Sequence, residues 1–126
     1  MTIKQLTVFL ENRTGRINEV AKILGAGGIN MKAFSMAETS DFGLLRLIVS
    51  DVDKAVQVLR DASFAVMLTD VLCVNIPNVP GALSAILEKL ASNGIFIEYM
   101  YAFSDGEYAN VVIRPDNIEE AVRILE

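Results

Sequence analysis

Residues 6–29 read LTVFLENRTGRINEVAKILGAGGI, and residues 72–95 read LCVNIPNVPGALSAILEKLASNGI, the same pattern displaced by 66 positions without a gap. Identity holds at Leu6/Leu72, Val8/Val74, Asn12/Asn78, Gly15/Gly81, Leu24/Leu90, Gly28/Gly94 and Ile29/Ile95. It continues beyond the quoted stretch at Ala55/Ala121, Val56/Val122 and Leu59/Leu125. A fixed internal period marks a duplicated structural unit, so the fold follows from what one copy reads as.

Hydrophobic phase repeats along with identity. Ile17, Val20, Ala21 and Leu24 recur at i, i+3, i+4 and i+7, the stripe of an amphipathic helix, and Leu83, Ile86, Leu87 and Leu90 keep that spacing. A second helix carries Val52, Ala55, Val56 and Leu59, matched by Ile118, Ala121, Val122 and Leu125. Asp51 and Asp53, or Asp116 and Glu119, stand around its first turn, where the helix dipole favours acids. Between the helices the period drops to two at Leu45, Leu47 and Val49 and at Val111 and Ile113, and segments 29–37 and 95–103 before them are strand-like. Turns are expected at Thr39-Ser40-Asp41-Phe42-Gly43 and at Ser104-Asp105-Gly106-Glu107-Tyr108.

Phe64-Ala65-Val66-Met67-Leu68 supplies a fourth strand and completes βαββαβ in the first copy. The chain is therefore expected to be α+β, with two tandem ferredoxin-like units at 1–69 and 70–126. The second unit stops at Glu126 without its last strand, which leaves the backbone of Val71 to Ile76 at an open edge. Either a partner covers that edge or the chain continues.

Composition narrows the function. Of 126 residues, 52% are hydrophobic and 21% charged, enough for one substantial core or two small ones. Sixteen acidic residues against eleven basic give a net charge of −5, and no run of Lys or Arg follows a phosphate backbone, so no nucleic-acid partner is expected. Residues 1–66 hold eight basic and seven acidic side chains, whereas 67–126 hold three and nine. Histidine is absent and the single cysteine, Cys73, lies in the apolar run Val71-Leu72-Cys73-Val74. Zinc sites with Cys/His ligands, histidine acid–base catalysis and internal disulfides are thereby excluded. No apolar stretch reaches the roughly 18–20 residues of a membrane span and no signal-peptide core opens the sequence, so a cytoplasmic protein without membrane partners is expected.

The loop between the first strand and first helix carries the functional signal: Glu11-Asn12-Arg13-Thr14-Gly15-Arg16-Ile17 and Pro77-Asn78-Val79-Pro80-Gly81-Ala82-Leu83. An Asn side chain caps a helix or bonds an ammonium group, and Gly lets backbone amides approach an anion where the helix begins. Free amides at a helix start, with the dipole behind them, suit a carboxylate. One loop has the means to hold both charged groups of an amino acid, while Asn-x-x-Gly is also an ordinary cap and turn.

Asn78-Val79-Pro80-Gly81-Ala82-Leu83 resembles the Asn-x-Pro-Gly-x-Leu pattern of the ACT domain, a small-molecule sensor built as βαββαβ. The first copy departs from the pattern at Thr14 and Ile17. Ser40-Asp41-Phe42-Gly43 followed by Leu44-Leu45-Arg46-Leu47 is similar to stand-alone tandem ACT proteins that bind amino acids. The resemblance spans nearly the whole chain and implies two units side by side, with antiparallel sheets, helices on one face, and ligands between the loop of one unit and the second strand of the other. It places one ligand among Asn12, Arg13, Thr14, Gly15 and Ile97, Glu98, Tyr99, Met100. A second falls among Asn78, Val79, Pro80, Gly81 and Asn30, Met31, Lys32, Ala33. The first is favoured, because Arg13 and Arg16 suit a carboxylate and Glu98 an ammonium. In this setting Gly15→Val is expected to block binding with little effect on folding.

Other signals are weaker. Gly25-Ala26-Gly27-Gly28 follows a helix, the reverse of a phosphate-binding order, and reads as helix termination. Asp51 with Asp53 and Glu119 with Glu120 sit at helix starts, and no metal or cofactor is expected. In Ile95-Phe96-Ile97-Glu98-Tyr99-Met100-Tyr101-Ala102-Phe103 both strand faces are largely apolar, which points to a homo-oligomer, expected as a dimer, or to a pocket lined by Tyr99 and Met100. The combined reading is a non-catalytic regulatory protein that binds a free L-amino acid, with an enzyme of amino-acid metabolism as a candidate partner. The alternatives are a structural or protein–protein interaction module without a ligand of its own, and a small enzyme, for which no nucleophile–base pair is in sight.

Overall fold

The computed structural model describes every residue except Thr39 and Ser40; that part of the expected first turn lies outside the described residues. The described residues form six strands and four helices: β1 (Thr2–Glu11), α1 (Arg16–Ala26), β2 (Met31–Glu38), β3 (Phe42–Val49), α2 (Val52–Asp61), β4 (Ala65–Pro77), α3 (Ala82–Ser92), β5 (Ile97–Asp105), β6 (Tyr108–Pro115) and α4 (Ile118–Leu125). The backbone divides into two compact units, one of Lys4–Thr69 and one of Asp70–Glu126 with Met1–Ile3. No helix among the described residues is long and apolar enough to cross a membrane.

In the first unit β3 lies antiparallel between β1 and β2, with Leu6 opposite Leu47 and Phe34 opposite Leu47 from the other side. Alternate residues Leu6, Val8, Leu10, Leu45, Leu47 and Val49 share one core with Val20 and Leu24 of α1 and Ala55 and Leu59 of α2. Both helices therefore cover the same face of the sheet. On the strand positions between those core residues, Gln5 and Thr7 are buried as well, and Gln5 Nε2 donates to Thr7 Oγ1 at 3.3 Å.

The second unit repeats this construction residue for residue. β6 lies antiparallel between β4 and β5, with Leu72 opposite Ile113 and Met100 opposite Ile113 from the other side, each pair 66 positions beyond its first-unit equivalent. Leu72, Val74, Ile76, Val111 and Ile113 pack with Leu90 of α3 and Ala121 of α4. The bulges repeat too: Lys32 is the extra residue of β2 and Glu98 that of β5.

Four details depart from the sequence reading. The fourth strand of the first unit and the opening strand of the second are one strand, the 13-residue β4. Phe42 and Gly43 belong to β3 rather than to a turn, Gly43 pairing with Leu10 and Glu38, and in the second unit the turn shrinks to Gly106 and Glu107. Ile17 and Leu83 stand outside the cores at 42% and 37% exposure, Ala21 is exposed, and Ile23 packs on the first core. The edge of β4 that the sequence reading leaves open is met at Cys73 within the same compact unit, where the Cys73 amide donates to the Met1 carbonyl at 2.7 Å.

Candidate functional site

The two loops singled out by sequence have the same backbone. Gly15 and Gly81 precede α1 and α3 with φ of 90° and 89°, a left-handed conformation that a residue with a Cβ adopts only under strain. Neither helix start receives a side-chain cap. The other two helices are closed by their own sequence: Asp51 accepts from the Lys54 amide and Asn117 from the Glu120 amide, each at 3.1 Å. Asp51 and Asn117 are equivalent positions, as are Gly15 and Gly81, so each unit has one capped and one uncapped helix. For Asn78 the cap alternative has no hydrogen bond behind it among the described residues.

Beside each uncapped start lies a hollow. In the first unit it measures about 310 Å³ and is lined by Asn12, Arg13 and Thr14 of the loop, Ile17 of α1, and Met36 and Glu38 of β2. Its charges are largely matched internally. Arg16 Nη1 meets Glu19 Oε2 at 2.5 Å and Nη2 meets Glu11 at 3.5 Å, while the guanidinium lies 4.3 Å from the centre of the Phe64 ring. Arg13 is more exposed and approaches Glu11 only at 3.9 Å.

The hollow of the second unit measures about 260 Å³ and is lined by Asn78 and Val79 of the loop, Leu83 of α3, Met100 and Ala102 of β5, and Ala109 and Val111 of β6. The Asn78 amide donates to the Glu107 carbonyl at 2.9 Å, tying the loop to the β5–β6 turn. A further hollow of about 360 Å³ shares Pro77, Asn78 and Val79 and is lined also by Glu107 and Tyr108. The contrast between units has a steric origin. In the first, a Cβ on Gly43 would stand 2.9 Å from the Met36 Cε, so the methionine lies where a side chain at 43 would be. In the second, the equivalent residues are Ala102 and Ala109, and neither side chain reaches as far as a methionine.

The sequence-derived residues divide accordingly. Asn12, Arg13 and Thr14 line the first hollow, and Asn78, Val79 and Met100 line the second; Gly15, Pro80 and Gly81 shape the loops without lining either. Asn30, Met31, Lys32 and Ala33 lie at the end of β2 remote from their own unit's loop, where the Asn30 amide donates to Ser50 Oγ at 2.9 Å. Ile97, Glu98 and Tyr99 occupy the equivalent end of β5, where the Phe96 amide donates to Asp116 Oδ1 at 3.1 Å and Glu98 pairs with Arg114 at 3.5 Å. Sequence reasoning missed Ile17, Met36, Glu38, Leu83, Ala102 and Ala109. The 66-residue offset already aligned Met36 with Ala102 and the residue after Phe42 with Ala109; what it lacked was the strand register that makes them neighbours.

Comparison with known proteins agrees with this architecture. The family model of the ACT domain pair matches residues 1–126, so the chain belongs to the ACT domain pair family, a family of regulatory, typically non-catalytic domains. The crystal structure of protein BT0572 from Bacteroides thetaiotaomicron is 51% identical, with a TM-score of 0.94 over 99% of this chain and 87% of that one. Two regulatory subunits of aspartate kinase share the fold at 18% identity. That of Thermus thermophilus, in ligand-free form, has a TM-score of 0.71 over 99% of this chain and 95% of its own. That of Thermus flavus has a TM-score of 0.67 over 98% and 92%. No curated protein matches the chain.

Proposed function

We propose that the protein is a cytoplasmic, non-catalytic sensor that binds a free L-amino acid at its strand–helix loops. One observation carries this reading: each unit places an uncapped helix start, opened by a left-handed glycine, beside a hollow, while its second helix is closed by a side chain. The first-turn amides suit the ligand carboxylate, and the side-chain oxygens of Asn12 and Asn78 suit its ammonium. Arg13, Thr14, Gly15, Val79, Pro80 and Gly81 complete the two loops. The bulged strand starts, Ile97–Met100 and Asn30–Ala33, are further contact segments in this proposal, since bulges re-aim side chains at sites.

Binding reports by population shift: the ligand favours whichever conformation or association state it binds more tightly, by no more than that difference in affinity. The responding assembly is a homodimer or an enzyme of amino-acid metabolism. The test is a thermal-unfolding screen of the full chain against the twenty L-amino acids, followed by calorimetry. A ligand at about 100 times its Kd adds roughly 2.7 kcal/mol, and a selective rise is expected. No shift with any of them would overturn the reading. A protein-interaction module would then lead, favoured by the exposed Phe34 and Phe96, at 62% and 67%.

A further inference from the structure

The two hollows occupy equivalent places but offer opposite chemistry, and the difference bears on what the second one takes. The first is walled by Glu11, Arg13, Arg16 and Glu38 and is entered by Met36. In the second, the positions equivalent to Glu11, Arg13 and Arg16 are Pro77, Val79 and Ala82, and no carboxylate, ammonium or guanidinium lines it among the described residues. Val79, Leu83, Met100, Ala102, Ala109 and Val111 make its walls.

We infer that the second unit's hollow selects an L-amino acid with an uncharged, apolar side chain. This inference rests on the amino-acid reading proposed above and specifies the ligand. Its volume, about 260 Å³, is near the lower limit of ligand pockets, roughly 300 Å³, and fits one small molecule rather than a peptide. Asn78 of the loop and Leu83 in the first turn of α3 line the hollow, and the strand residues opposite leave apolar walls for the side chain. A charged side chain entering there would lose its hydration without gaining a counter-ion, whereas an aliphatic one buries surface favourably. In the first unit Met36 stands at the equivalent place: its Cε lies 2.9 Å from the position a Cβ at Gly43 would take. Ala109 already carries such a Cβ, so a methionine at position 102 must swing away from it and into the hollow.

The experiment is titration calorimetry of the full chain with leucine, isoleucine, valine and methionine, against glycine, lysine, arginine, aspartate and glutamate. The apolar set is expected to bind, and Ala102→Met to weaken it by roughly 10–200-fold, the range set by one or a few methylenes in an apolar pocket. Val79→Ser, on an exposed loop position, is the second variant and weakens the same ligands even if Ala102→Met fails to fold. Tight binding of a charged amino acid with weak binding of the aliphatic ones would overturn the inference while leaving the sensor reading intact. The same holds for unaltered leucine affinity in a folded Ala102→Met variant. Absence of heat with every amino acid would overturn both.

Discussion

At Gly15 and Gly81 the backbone holds φ near +90°, and this alone decides what substitution there means. Space is open around both, with no atom within 4 Å of an added Cβ, so any penalty is conformational rather than steric. Gly15→Val, expected from sequence to spare folding, is therefore expected to lower stability by about 1–3 kcal/mol, with Gly15→Asn losing less. The midpoint of urea unfolding checks this, and an unchanged midpoint for Gly15→Val would mean that the loop relaxes freely. Cys73 offers a second residue-scale test. Half-buried on β4, it has its thiol pushed up by burial and drawn partly back by the chain's terminal ammonium. The folded value lies above the unfolded one, so the linked stability is fully present below about 8.5, the ordinary thiol value, and is lost as pH rises through the folded value. Alkylation by iodoacetamide at pH 8 is expected to be slower in the folded chain than in urea. Stability of the wild type should also decline more steeply towards pH 10 than that of Cys73→Ala.

At the scale of elements, the two kinds of helix start predict different costs for similar changes. Asp51→Ala and Asn117→Ala each remove a side-chain acceptor from a first-turn amide and should lose about 1 kcal/mol. Asn78→Ala removes none and should stay within about 0.5 kcal/mol. Equal losses at all three positions in a denaturation series would turn the loop asparagine back into a structural residue. The acids around the first turns of α2 and α4 were legible in sequence because the dipole argument needs only a boundary and a charge. The core role of Ile17 and Leu83 was misread because a 3.6-residue stripe states which way a side chain points, not whether the sheet extends beneath it. Both lie in the first helical turn and line the hollows instead. The hollows themselves were invisible to periodicity, since the proximity of Met36 to Gly43, and the shared lining by Ala102 and Ala109, exist only once strands are in register.

For the whole molecule, the 66-residue period survives in every register, both bulges and all four helix starts, because duplication copies backbone hydrogen bonding even where side chains diverge. The edge of β4 around Cys73 is met by the start of the chain. An unpaired edge is an invitation to intermolecular pairing, and the chain's own first residues blunt it: Met1–Ile3 group with Asp70–Glu126, and the Met1 carbonyl accepts from the Cys73 amide. Deleting Met1–Ile3 should abolish hydrogen-exchange protection at the Cys73 amide and speed Cys73 alkylation, while leaving protection at Val112, which faces Cys73 on β6, nearly as before. If Cys73 keeps its protection after the deletion, something other than these three residues completes the edge. Association of the shortened chain, read by sedimentation, would then show whether a second copy has taken their place.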